Sequence, residues 1–211
     1  MDKSFKEAMD FRHACKLFDE TKKINDEDML FILEAGRNSP SSFGQEGWKF
    51  LVITNDELKK KIRPHCWNQP QITTCSHLVV ILAAIKNLKP QSGVPAKRFQ
   101  RRDLPQEKIE RYIEVYKNHL EKTGILKNDE TLYAWSSKQC YIAAANMMSA
   151  AAVKGIDSCP IEGMDRKEVE KVLNLNTKEF QIALLLPFGY RVNPQPKRVR
   201  LKLEEICEFI N

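Results

Sequence analysis

Apolar and polar positions divide the chain into a few strands separated by long helical stretches. The segment Asn25 to Arg37 opens on Asn25, Asp26, Glu27 and Asp28, residues suited to the positive end of a helix. Met29, Leu30, Ile32 and Leu33 are expected to form its buried face. Asn38-Ser39-Pro40 is expected to stop it, because proline pushes the preceding residue out of the helical region. Phe50 to Thr54 (FLVIT) reads as a short strand rich in β-branched residues, and Ile182 to Leu186 as another. Between them in sequence, Leu78 to Ile85 (LVVILAAI) is apolar at every position. A strand of that kind needs cover on both faces, so it is expected at the centre of a sheet.

The stretch from Thr131 to Lys154 predicts a long helix, and from Cys140 to Val153 (CYIAAANMMSAAAV) it carries no charge. A helix apolar all round must be covered on all sides. That cover is either the centre of one copy of the chain or a second copy packed on the small residues. Gly155 is expected to end the helix as a left-handed cap. Asp165-Arg-Lys-Glu168 reads as a capping box opening a further helix, and Glu107 to Glu121 as another helix. Few strands alternating irregularly with long helices favour α+β over a regular doubly wound sheet.

A length of 211 residues suits one domain over 1–211, and no repeat or linker interrupts it. Apolar residues make up 42%, ordinary for a globular chain. The N-terminus lacks an apolar run of signal-peptide length, and LVVILAAI falls far short of the roughly 20 residues a bilayer crossing needs. The expectation is a soluble cytoplasmic protein with no membrane partner. The six cysteines form no CxxC and have no histidine at zinc-finger spacing, so they read as reduced thiols and no metal site is expected. The net charge of +6 permits an anionic ligand. Basic runs at Lys97 to Arg102 and Lys197 to Lys202 come without a recognition-helix or RNP-like pattern, so nucleic acid is not expected.

Neither GxGxxG nor a P-loop is present, and with 8 glycines a phosphate would be held mainly by side chains. Arg12, Arg198 and Arg200 offer guanidinium forks that match phosphate oxygens, and Ser39, Ser41 and Ser42 add hydroxyls in a proline-bent loop. Each alone also fits an ordinary solvated surface.

Their combination is more specific. Phe11-Arg-His-Ala-Cys-Lys-Leu-Phe-Asp19, Ser39-Pro-Ser-Ser-Phe-Gly-Gln-Glu-Gly-Trp-Lys-Phe50, Gly155-Ile-Asp-Ser-Cys-Pro-Ile-Glu-Gly-Met-Asp165 and Lys197-Arg-Val-Arg200 occur in this order. A softer match, Trp67-Asn-Gln-Pro-Gln71, leads to Ser76-His77 before the apolar strand. In these segments the chain resembles the nitroreductase family of FMN enzymes, over nearly its whole length.

The resemblance implies an α+β nitroreductase-like fold: a central, mostly antiparallel sheet flanked by helices, in an intertwined homodimer. It implies FMN as cofactor and NAD(P)H as electron donor. Arg12, His13, Ala14 and Lys16 would meet the flavin, Arg12 at its phosphate or ribityl chain and Lys16 at its pyrimidine edge. Pro160 and Ile161 would pack on one ring face, and the backbone N–H of Glu162 or Gly163 would donate to N5. Asn68 and Gln71 would add contacts, and Arg198 and Arg200 would hold the phosphate. Pro40, Ser41 and Ser42 would come from the partner subunit. Nicotinamide and a small-molecule acceptor would use the open ring face in turn, a ping-pong route to nitroaromatics, quinones or similar conjugated oxidants, with Tyr112 or Tyr116 lining the acceptor pocket. The cofactor carries the chemistry, so no catalytic side chain is implied.

The chain departs from the family pattern at several places. Ala14 lacks the hydroxyl that often follows Arg-His, Gln71 replaces a common lysine, and Gly47 replaces a common proline before Trp48. The C-terminal basic pair aligns in two registers, of which Arg198 and Arg200 fit the continuation Leu203-Glu-Glu-Ile206. Three positions have simpler readings: His13 as a packed core histidine, His77 as structural, and Cys159 as a buried inert thiol. A non-enzymatic FMN-binding or regulatory protein is the alternative function.

Overall fold

A computed structural model describes residues 2–210. Four strands, β1 (Trp48–Ile53), β2 (His77–Ala84), β3 (Asp157–Ser158) and β4 (Phe180–Gly189), form one antiparallel sheet in the order β1-β2-β4-β3. The uniformly apolar strand therefore lies inside the sheet, as its pattern requires. Val79, Ile81 and Ala83 face one buried cluster, and Leu78, Val80 and Leu82 face the other. Covering such side chains contributes about 1.5–3 kcal/mol each, which anchors the sheet. Ile81 pairs with Leu184 but Leu82 pairs with Ile182, leaving Ala183 as the extra residue of a bulge.

Eight helices complete the described chain: α1 (Phe5–Phe11), α2 (Asp26–Arg37), α3 (Asp56–Ile62), α4 (Gln71–Thr74), α5 (Val94–Gln100), α6 (Gln106–Lys122), α7 (Asp129–Val153) and α8 (Arg166–Val172). On one sheet face α2 and α7 contribute Met29, Ile32, Cys140, Ala144, Met147 and Ala151. On the other, Ile62, Ile72 and Val169 come from α3, α4 and α8. The arrangement is α+β, as expected.

The cap signals are realised with one difference. Asn25 Oδ1 accepts from the Asp28 N–H at 2.8 Å, and Gly155 follows α7 at φ +73°. Asp165 accepts from the Glu168 N–H at 3.2 Å, but the reciprocal half of the expected box is missing. The Asp165 N–H donates to His65 O at 2.7 Å instead, and the Glu168 carboxylate pairs with Lys171.

Two apolar stretches are not covered as the sequence suggested. Leu30 is 61% exposed, because it points roughly a quarter turn away from the buried Met29. On α7, Ala143, Ala144, Met147 and Ala151 are buried, while Tyr141, Ile142 and Ala145 remain exposed. One chain covers only one side of this uncharged helix. None of the described helices is long and apolar enough to cross a membrane.

Candidate functional site

Arg12 lies just past α1, where the backbone turns extended (φ −66°, ψ 127°). The segment that follows runs beside the short strand β3: Ala14 bridges Ser158 in parallel, and the Cys15 N–H donates to Ser158 O at 3.1 Å. This edge segment presents Arg12, His13 and Ala14 to the C-terminal arm. With Arg198 and Arg200 they line a cleft of about 330 Å³ whose lining contains no carboxylate. Arg198 is partly committed: it donates to the carbonyls of Met9 and Arg12 and pairs with Asp10 at 3.4 Å. Among the described residues Arg12 and Arg200 form no ion pair. Burial first, then the charges of Arg200 and Arg198, make the Arg12 guanidinium less basic than usual. Three guanidiniums and Lys197 lining one cleft make it a candidate anion site.

Beneath the cleft is a clamp with no assigned role in the sequence reading. Asp157 is 3% exposed, and its carboxylate accepts from the Arg191 N–H at 2.9 Å and from Nε at 2.8 and 3.0 Å; Nη2 lies 2.6 Å from Oδ1. Arg191 also donates to Phe11 O at 3.1 Å and to Gln195 Oε1 at 3.2 Å, tying the Arg12 segment to the arm that carries Arg198 and Arg200. The acidic start of the Asp157-to-Asp165 motif was a usable signal; Arg191 had none.

His13 is packed against this pair rather than open to solvent. Its Nδ1 lies 3.6 Å from Asp157 Oδ1, beyond hydrogen-bonding distance, and has no other partner. Burial chiefly, with Arg191 next and Asp157 opposing, lowers its proton affinity below the ordinary 6.5. The unfolded chain then takes up this proton first as pH falls. The contribution is fully present above pH 6.5 and is lost as pH drops through that value toward the lower folded pKa. Urea midpoints at about pH 7.5 and 5.5 are expected to differ less in His13→Gln than in the parent, and identical differences would contradict this.

Four residues after Arg12, Lys16 reaches a second group of site residues. Its Nζ lies 3.6 Å from Cys159 Sγ, and Gln71 Nε2 lies 3.8 Å from the same sulfur. Gln71 also donates to Gln69 Oε1 at 2.9 Å, and Gln69 donates to Gly163 O at 3.0 Å, so α4 is docked on the Pro160–Gly163 loop. The Cys159 thiol is buried and pushed up by that burial, with Lys16 and Gln71 opposing. The loop is anchored by Ile161, which exchanges backbone bonds with Leu185 at 2.9 and 3.1 Å. Pro160 and Glu162 are exposed. Among the described residues, the N–H groups of Glu162 and Gly163 have no acceptor in the chain.

Trp67 and Asn68 both adopt left-handed backbone, at φ +54° and +52°. The Trp67 ring lies over Gly163, where an added Cβ would approach it to 2.6 Å, so a side chain there would have to displace the ring. Strained backbone against a loop with free donors is characteristic of binding sites.

Pro40, Ser41 and Ser42 lie elsewhere. The Ser42 N–H donates to Gln139 Oε1 at 2.8 Å, and Asn146 donates to Ser39 Oγ at 2.8 Å, which fixes this loop along α7. Arg12 instead follows α1, and Lys3, just before α1, donates its N–H to Val153 O at the C-terminal end of α7. Among the described residues, no hydrogen bond or ion pair links the Pro40–Ser42 loop to Arg12, Arg198 or Arg200, and the loop does not line their cleft. On the other flank of α7, the Glu162 carboxylate helps burial push the Tyr141 phenol up.

The two tyrosines of α6 differ. Tyr112 is half exposed and borders a groove with Phe43. Tyr116 is 1% exposed and donates its hydroxyl to Leu88 O at 2.7 Å, so it is a core residue and offers no face to an acceptor.

Comparisons with known proteins identify the family. The nitroreductase family profile matches residues 9–190. The provisionally named NAD(P)H nitroreductase YfkO of Bacillus subtilis is 42% identical over 97% of this chain and 96% of its own. A similarly named Haemophilus influenzae protein is 42% identical over 94% of this chain and 93% of its own. A nitroreductase-type structure from Exiguobacterium sibiricum, solved in complex with FMN, superposes with TM-score 0.80 at 23% identity, covering 98% of this chain and 97% of its own. On the strength of the profile match and these full-length relatives, the chain belongs to the nitroreductase family.

Proposed function

We propose that this protein is a homodimeric, cytoplasmic FMN oxidoreductase that passes two electrons from NAD(P)H to a nitroaromatic, quinone or similar conjugated acceptor by a ping-pong route. The observation that carries this is the meeting of Arg12, Arg198 and Arg200 in a cleft whose lining contains no carboxylate, joined by the segment after Arg12 to Lys16. Four extended residues span about 13 Å, enough to separate a phosphate at one end from a ring at the other. The donor set fits FMN: guanidiniums suit its phosphate, and the unpaired N–H groups of Glu162 and Gly163 suit the ring's acceptor nitrogen. Bound there, FMN would supply two-electron transfer chemistry between nicotinamide and oxidant.

This chain's residues supply the setting for that chemistry. Arg12 and Arg200 neutralise the phosphate, while the Asp157–Arg191 clamp holds the two segments that bear them. Pro160 and Ile161 form a floor for the ring, positioned by the Ile161–Leu185 bonds. Lys16 has sulfur rather than carboxylate as its partner, so its charge is available to the pyrimidine edge, where reduction places negative charge. Pro40, Ser41 and Ser42 would reach the ring from a second copy packed on the exposed side of α7.

Lys16→Met keeps the stem and deletes the ammonium. Binding of oxidised FMN is expected to change little, while the reduced form loses several tenths to about 3 kcal/mol, lowering the midpoint potential. Anaerobic redox titration checks this; an unchanged potential at full occupancy would exclude the role.

The function itself is tested by purifying the protein with its flavin and adding NADPH or NADH without oxygen. Bleaching, followed by recovery on adding a nitroarene and parallel double-reciprocal plots, is the expected result. A yellow protein that neither nicotinamide bleaches would instead be a non-enzymatic FMN carrier.

A further inference from the structure

Helix α6 carries one flank free of carboxylates and one mostly acidic flank that also includes Lys117. At roughly 100° per residue, Lys108, Arg111, Tyr112 and Val115 fall on one flank, beside the buried stripe of Ile109, Tyr116 and Leu120. Glu107, Glu110, Glu114 and Glu121 fall on the opposite flank. The cationic flank faces Phe43 across a groove of about 410 Å³, lined by those four residues and Phe43 with no carboxylate among them. Neither Lys108 nor Arg111 forms an ion pair among the described residues.

The far wall is fixed in place. Phe43 adopts left-handed backbone at φ +57°, which a bulky side chain rarely accepts. Its carbonyl accepts from Arg102 Nη2 at 2.7 Å, and its ring meets Tyr116 edge-on at 5.2 Å. The Arg102 guanidinium also lies 5.0 Å from the centre of the Tyr112 ring. One side chain thus positions both aromatic walls. His119, tilted against Phe43 at 5.4 Å, is the nearest further titratable ring.

We infer that this groove binds a planar aromatic ligand carrying an anionic group, the ring between Phe43 and Tyr112 and the anion at Lys108 and Arg111. Phe43 directly follows Ser42, so the inference deepens the flavin reading and rests on it: the groove becomes a substrate subsite beside the ring. Two reactants have this chemistry, a carboxylated nitroarene acceptor and the 2′-phosphorylated adenosine of NADPH.

The test is a double variant, Lys108→Gln with Arg111→Gln, at exposed positions outside the core. Calorimetry would compare para-nitrobenzoate with neutral para-nitrobenzamide, and NADP+ with NAD+, which carry the same 2′-phosphate difference but cannot reduce the flavin, on parent and variant holoprotein. Each exposed charge pair is worth a modest amount, so preference for the anionic member of one pair should fall about two- to tenfold. Loss in the nitroarene pair assigns the groove to the acceptor, and loss in the nicotinamide pair assigns it to the donor. Unchanged preference in both pairs, or equal weakening of charged and neutral members, would overturn the inference. Because binding is read directly, failure of either nicotinamide to bleach the flavin would defeat the redox reading without altering this titration.

Discussion

Asp157→Ala is expected to destabilise the fold by about 3–5 kcal/mol, toward the lower end because Arg191 keeps some exposure. The carboxylate accepts the Arg191 backbone N–H and both faces of its guanidinium fork, so truncation leaves a part-buried charge and a backbone donor without their partner. Asp157→Asn retains one acceptor for the backbone N–H and should lose less. The effect reaches the cleft as well. Without the clamp, the segment bearing Arg12 and the arm bearing Arg200 are no longer tied together, so flavin retention should fall with stability. Urea denaturation of the two variants measures the first effect, and a midpoint equal to the parent's in Asp157→Ala would refute the clamp.

Arg200→Ala should weaken FMN far more than riboflavin, since only FMN offers the phosphate. A charge-assisted bond is worth about 1.5–3 kcal/mol, or roughly ten- to hundredfold in affinity. Arg200 suits this test better than Arg198, whose guanidinium also holds the carbonyls of Met9 and Arg12. Fluorescence titration of apoprotein with both flavins decides it. Equal losses for the two ligands would show that Arg200 does not face the phosphate.

Much of the scaffold could be read from local pattern. LVVILAAI demanded two-sided cover and lies inside the sheet, and Asn25 and Gly155 cap their helices as their chemistry dictates. The misreadings arose where tertiary partners decide. Leu30 looked like core by composition, but helical phase turns it outward. Glu168 matched a capping box, yet His65 O took the Asp165 N–H first. Tyr112 and Tyr116 are alike in sequence and both touch Phe99; the packing of Trp135 on Tyr116 and the bond from its hydroxyl to Leu88 O separate them. The arginines of the cleft were legible because guanidinium is suited to phosphate and recurred in family-like segments. Arg191 was not, because its role depends on a carboxylate 34 residues away that β-pairing brings beside it.

The central claim is that one chain holds only part of the site. The uncharged part of α7 leaves Tyr141, Ile142 and Ala145 exposed, and the Pro40–Ser42 loop lies along the helix without lining the cleft of Arg12, Arg198 and Arg200. Size-exclusion chromatography with light scattering and flavin absorbance tests this directly, on the parent and on Ile142→Glu, which places a charge on the exposed side of α7. The account expects all flavin absorbance to travel with the mass of two chains in the parent, and the variant to release both its partner and its flavin. A flavin-loaded single chain at micromolar concentration would contradict it.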